Sequence, residues 1–191
     1  MNTISKVISR FKRDGFNKAN AHYIKLLKGV CDCFLEKKLL PLIFQLERKL
    51  PVKEYIVFEC ENDMDDNPRA VYEYLLKTGW NKKHKLVWIV RDVRLCKRLY
   101  MNRNVVFLSR FDRSCMNQIL LEYYLSTAKW FIFSHPYWFK KRRQKQTVIH
   151  INHGTPFKGC SEKDDPKIGD TFDYLLSTSE SVAEKNREFW H

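Results

Sequence analysis

The residues best able to do chemistry stand at the end of one apolar run, in the stretch TVIHINHGTP (Thr147–Pro156). His153 is followed by Gly154, Thr155 and Pro156. A neutral imidazole can take the proton of an attacking hydroxyl near pH 7. Gly154 lets backbone approach a ligand closely. The Thr155 hydroxyl and nearby backbone N–H groups can hold an anionic oxygen. The bare tetrapeptide fits equally a histidine that only caps a strand end before a turn. A second group is HPYWFKKRRQK (His135–Lys145), where Tyr137, Trp138 and Phe139 neighbour Lys140, Lys141, Arg142, Arg143 and Lys145. That mixture suits an anionic membrane interface or single-stranded nucleic acid, although a charge run is more commonly a solvated loop. A third group, ENDMDDN, holds Asp63, Asp65 and Asp66. It lacks the glycine and closing glutamate of a calcium loop, so capping of a helix start is the expected use. Asn67 is singled out because it ends this loop on the carboxyl side of a strand. Walker A, GxGxxG, GxSxG and HExxH motifs are absent from the sequence, and Lys158 rather than an aspartate stands five residues after His153.

Holding His153 in place requires a strand that stops just before it. Val148, His150 and Asn152 then face one side and Ile149 and Ile151 the other. His150 lies inside the strand and is read as structural, facing a packed layer. Further strands are read at YIVFEC (Tyr55–Cys60), KLVWIV (Lys85–Val90), NVVFL (Asn104–Leu108), WFIFS (Trp130–Ser134), QTVIHIN and FDYLLSTS, all rich in β-branched and aromatic residues. Helices are expected from an Asn67 cap with Pro68 in first position to a stop near Gly79, over CMNQILLEYYLSTAK, and from Glu180 to the end. Strand and helix patterns alternate with crossovers long enough for parallel pairing. This predicts an α/β fold, a Rossmann-like parallel sheet flanked by helices. Residues 1–50 differ in texture. They form an amphipathic helical segment, kinked at Pro41 with Leu42, Ile43, Leu46 and Leu50 continuing one face. The segment carries eleven Lys and Arg against four Asp and Glu.

The chain has 191 residues, 44% of them hydrophobic, enough to bury a real core. Its net charge of +13 favours an anionic partner without choosing which. The six cysteines form no zinc or CxxC spacing and are read as reduced, mostly buried thiols. No metal site and no cofactor is expected. No apolar run approaches the ~20 residues that span a bilayer, and the N-terminus lacks the apolar core of a signal peptide.

Four segments, VFECENDMDDNPRAVYEYLL, YYLSTAKWFIFSH, VIHINHGTPFK and FDYLLSTSESVAEKNREFW, resemble in order and spacing one family. It is the CDP-glycerol glycerophosphotransferases, the teichoic acid primases and polymerases. The resemblance covers roughly residues 54–191 and the N-terminal half of the catalytic region. It implies one half of a GT-B architecture, in which two Rossmann-like domains face a cleft and the second binds most of the CDP-glycerol donor. It implies a transfer of glycerol phosphate to a lipid-linked polyol-phosphate acceptor, with release of CMP. His153 matches the family's proposed general base, and Asn67, His135, Asn152, Gly154, Thr155 and Pro156 are the substrate-binding candidates. Asn152 replaces an aromatic residue often found before that histidine.

The resemblance also implies a peripheral protein on the cytoplasmic face of the cell membrane. Lys6, Arg10, Lys12 and Arg13, and Lys140, Lys141, Arg142 and Arg143, are then the contacts to anionic lipid. The expected organisation is a basic helical segment over residues 1–50 and an acceptor-side domain over 51–191. No counterpart of the donor-binding domain is expected in the chain, which by itself is then an inefficient enzyme; a split enzyme with a separate C-terminal half, a truncated gene and a fragment all fit. The alternatives are a non-catalytic remnant that binds a membrane or partner, and, least supported, a nucleic-acid-binding protein, for which no recognised motif is present.

Overall fold

The computed structural model describes residues 40–47, 49–134, 144–151 and 172–190. The chain divides into compact units at Met1–Ile43 and Phe44–His191, and of the first only residues 40–43 are described. In chain order the elements are helix α1 (Leu40–Glu47), strand β1 (Lys53–Glu59), helix α2 (Asp66–Lys77), a 3-10 turn (Trp80–Lys82), strand β2 (Leu86–Ile89) and helix α3 (Val93–Tyr100). Then follow strand β3 (Val105–Leu108), helix α4 (Cys115–Thr127), strands β4 (Ala128–Phe133), β5 (Thr147–Ile151) and β6 (Tyr174–Leu176), and helix α5 (Glu180–Trp190). All six strands lie parallel in one sheet of order β3-β2-β1-β4-β5-β6. This is the strand order of a doubly wound sheet, with its reversal between β1 and β4.

The central stretches of β1 to β5 are apolar on both faces because helices cover both, whereas β6 is largely exposed. Ile56, Phe58, Leu86, Trp88, Phe107 and Ile132 pack on one side with Tyr72, Leu75 and Cys96. Val57, Val87, Leu108, Phe131, Phe133 and Val148 pack on the other with Leu121, Tyr124 and Leu125 of α4. At the centre of the first layer Trp88 stacks on Phe58 at 5.1 Å and meets Tyr72 edge-on at 5.6 Å. Such ring pairs add ~0.5–1.5 kcal/mol each beyond area burial.

The sheet and its flanking helices agree with the sequence reading, with four differences. Helix α2 has Asp65, not Asn67, at its N-cap position, without a side-chain cap bond, and Pro68 stands third in it. Asp66 itself has φ 62°, so the chain passes through the left-handed region as it enters the helix. Helix α4 ends at Thr127 and β4 follows at once, because the buried Gln146 donates to the carbonyls of Leu125 and Ala128 and fixes the corner. Helix α3 was not read in the sequence. The apolar stripe of α1 is largely exposed, with Leu42 at 54% and Leu46 at 55%, whereas Glu47 is buried.

Of the six cysteines, Cys60 and Cys96 are buried and Cys115 is half-buried, and all three are free thiols.

Candidate active site

The carboxyl ends of β1, β4 and β5 converge beside the strand-order reversal, where ligands bind in open α/β sheets. The pairing register runs Leu108–Ile89–Glu59–Phe133–His150 across β3, β2, β1, β4 and β5. Paired residues share a face, so Glu59 and His150 flank Phe133 on the α4 side. His150 is 3% exposed and its ring stacks on Phe133 at 4.7 Å and 10°. Phe172 closes on it at 5.4 Å. The reading of His150 as a packed side chain is borne out. Ile149 and Ile151 belong to the opposite layer, as the alternation requires.

Glu59 ends β1, one of the two strands that flank the reversal. It is 4% exposed and its carboxylate takes a hydrogen bond from Arg110 Nη1 at 2.7 Å. Arg110 comes from the β3–α4 loop, which the buried Asn117 holds. Asn117 donates to the carbonyls of Ser109 and Asp112 and accepts from the Ser109 N–H at 3.1 Å. The Arg110 guanidinium also covers the Phe111 ring at 4.8 Å.

The acidic loop has a use the sequence reading missed. Both oxygens of Asp63 accept backbone N–H groups at 2.6 Å, from Arg91 and Asp92. Asp63 therefore clamps the loop after β1 to the loop after β2, instead of capping its own helix. Asp92 in turn caps α3 by accepting the Leu95 N–H at 2.9 Å. Cys60 points its thiol at the Asn62 carbonyl and accepts from the Asp65 N–H. Burial pushes that thiol up to about 11, helped by the charges of Asp63, Asp65 and Asp66, so it holds no thiolate at neutral pH.

Beside this centre a shallow groove of about 560 Å³ opens between the α3 start and the β3–α4 loop. Arg91, Arg94 and the 59%-exposed Phe111 line it. Among the described residues no group of three or more His, Cys, Asp or Glu could hold a metal ion.

Of the residues singled out in the sequence, Asn67 is half-buried in the first turn of α2 on the carboxyl side of β1. His153, Asn152, Gly154, Thr155, Pro156 and His135 lie outside the described residues, as do Lys6, Arg10, Lys12, Arg13, Lys140, Lys141, Arg142 and Arg143. In sequence, His135 and His153 follow closely on described residues. Ser134, 1% exposed, ends the described part of the β4 strand exit, and Ile151 ends β5.

A signal for Glu59 existed. It is an acid at the end of the apolar run YIVFEC, and a charge inside a two-faced parallel strand requires a partner.

The family model described as CDP-Glycerol:Poly(glycerophosphate) glycerophosphotransferase matches residues 42–189. The teichoic acid poly(glycerol phosphate) polymerase of Bacillus spizizenii is 32% identical over 122 residues, 61% of this chain and 29% of the relative. The teichoic acid glycerol-phosphate transferase of Staphylococcus aureus is 29% identical over 121 residues, 60% of this chain and 28% of the relative. The chain thus spans under a third of the length of these relatives. Among solved structures, the wall teichoic acid polymerase TagF superposes with a TM-score of 0.60 at 20% identity, over 88% of this chain and 44% of that one. A variant of the same polymerase soaked with CDPG gives 0.59 at 21% identity, with the same coverage of both chains.

Proposed function

The chain belongs to the CDP-glycerol:poly(glycerophosphate) glycerophosphotransferase family, and from that premise we propose that it forms the acceptor-side part of an enzyme for teichoic acid or capsular polymer synthesis. In this reading an acceptor hydroxyl attacks the glycerol-bearing phosphorus of CDP-glycerol. His153 takes the hydroxyl proton as the new P–O bond forms. The bond to CMP breaks and CMP leaves with the electron pair. Gly154, Thr155 and Pro156 frame the histidine, and Asn67, His135 and Asn152 contact substrate.

The observation that carries the reading is the position of β5. This strand ends at Ile151, next to β4 and one strand from the reversal, and His153 follows two residues later in the sequence. Glu59 and Arg110 supply a fixed charge pair at the same edge. The lipid-linked nature of the acceptor, and contact with the cytoplasmic membrane face through the basic residues of 1–50 and 140–143, are part of the proposal. So are the division at residue 50 and the need for a donor-binding half.

The test joins the chain to the remaining part of a relative and follows labelled glycerol phosphate into lipid-linked product. His153→Ala should leave the fold intact and lower transfer by ~10²–10⁴-fold, the usual contribution of a positioned base. Activity within a few-fold of the parent in His153→Ala would remove the histidine from this role.

A further inference from the structure

We propose that the amino edge of the sheet, opposite the candidate active site, is a docking surface for an anionic lipid bilayer. It is distinct from the basic residues given that role above and does not depend on the reaction assigned to the carboxyl edge.

The surface is continuous. The Trp80 ring lies 4.6 Å from the His84 ring. His84 Nδ1 lies 3.2 Å from the Glu54 carbonyl oxygen. The Glu54 carboxylate accepts from Lys129 Nζ at 2.7 Å and from Trp130 Nε1 at 3.4 Å. In the other direction, Asn81 Nδ2 donates to Asn102 Oδ1 at 3.3 Å and to the Arg103 carbonyl at 3.0 Å. These bonds join the 3-10 turn to the end of α3. The edge therefore runs from β4 to α3 as one face.

Its composition is what selects the partner. Trp80 is 43% exposed, Leu99 57% and Met101 53%. Around them stand Lys82, Lys83 and Arg103, all exposed, and Lys85 and Lys129, half-buried. The acid on this face, Glu54, is spent on Lys129. Large exposed apolar side chains set among cations gain on a lipid surface twice, by burying area in the headgroup–acyl boundary and by attraction to anionic headgroups. Tryptophan and lysine both sit well at that depth. A hydrated polyanion would satisfy the lysines and leave Leu99 and Met101 in water. A second copy of this face would bring like charges together.

The test uses the 191-residue chain with vesicles of phosphatidylglycerol mixed with phosphatidylcholine, and with pure phosphatidylcholine. Binding is expected to the first and to be weakened by salt. Each lysine near an anionic surface contributes about fivefold, so the triple variant Lys82→Gln, Lys83→Gln, Lys85→Gln should weaken binding by roughly a hundredfold. Leu99→Gln with Met101→Gln should weaken it too. Brominated acyl chains should quench tryptophan emission less in Trp80→Phe than in the parent. All these side chains are exposed except the half-buried Lys85, and circular dichroism checks that each variant folds. Vesicle binding unchanged by all three sets of substitutions would assign it to another part of the chain and overturn the proposal. So would equal binding to neutral vesicles, or binding to heparin with none to vesicles.

Discussion

At the scale of single residues, two buried carboxyl groups among the described residues differ in how their charge is answered. Glu59 has Arg110 at 2.7 Å, and the pair is 5% and 28% exposed. Removing one partner of a buried pair leaves the other desolvated and alone. Arg110→Ala is therefore expected to cost roughly 2–4 kcal/mol, reduced from the fully buried case because the guanidinium is partly solvated. Glu59→Gln with Arg110→Met should recover much of that in denaturant unfolding. Glu47 is the contrary case. It is 7% exposed, its Oε2 has no hydrogen-bond partner, and burial, with the Glu122 charge second, pushes it up to about 7 from 4.5. Because the folded pKa is the higher one, the folded state holds the extra proton between pH ~4.5 and ~7. Stability should then fall as pH rises through that window. Glu47→Gln should be close to neutral at pH 4.5 and stabilising by roughly 1–3 kcal/mol at pH 8. A variant whose melting temperature follows the parent at both pH values would show that Glu47 finds a partner in solution.

At the scale of elements, the loops at the carboxyl edge are set by side chains that reach across to other loops. Asp63 is the clearest, since two backbone N–H groups of the β2–α3 turn end on one carboxylate. Hydrogen bonds to a charged group are worth ~1.5–3 kcal/mol each in context. Asp63→Ala should loosen that turn, with hydrogen exchange at the Arg91 and Asp92 amides accelerating well before exchange in β2. Equal protection in parent and variant would mean the turn stands by itself. This pattern also explains what could be read in advance. Strands such as Val105–Leu108 and Thr147–Ile151 announce themselves because burial on both faces demands runs of β-branched residues. Helix α3 does not, because it has only eight residues, only Cys96 of them is fully buried, and Leu95 and Leu99 stand exposed among Arg94, Lys97 and Arg98. Its start depends on an Asp92 cap that gives no periodic signal. The Asp63 clamp joins residues 28 and 29 positions apart, and Arg110 reaches 51 positions to Glu59, so neither leaves a local pattern. The family resemblance, which did prove right, rests on several segments in order rather than on any one of them.

At the scale of the whole molecule, the sheet has two unlike edges. Its carboxyl edge holds the Glu59–Arg110 pair and the strand exits toward His135 and His153, and its amino edge holds Trp80 and the lysines. The 191 residues span under a third of the curated relatives, so the cleft that would orient donor against acceptor is expected to need sequence beyond them. Positioning of that kind accounts for ~7–11 kcal/mol of a barrier. By themselves these residues should give no measurable turnover of CDP-glycerol, and transfer at the rate of a relative would refute that. The two edges also set a distance. Strand β1 has seven residues, and at ~3.3 Å per residue its ends lie about 20 Å apart. If the amino edge rests on the bilayer, an acceptor hydroxyl must reach at least that far from the surface. The chain joined to the rest of a relative should then extend lipid-linked acceptors that already carry several glycerol phosphate units faster than those that carry one. The difference should appear in vesicles and vanish in detergent micelles, where the acceptor is free to approach from any side. Equal rates in vesicles would defeat the orientation while leaving the reaction standing. No transfer to either acceptor, in vesicles or in detergent, would instead defeat the reaction.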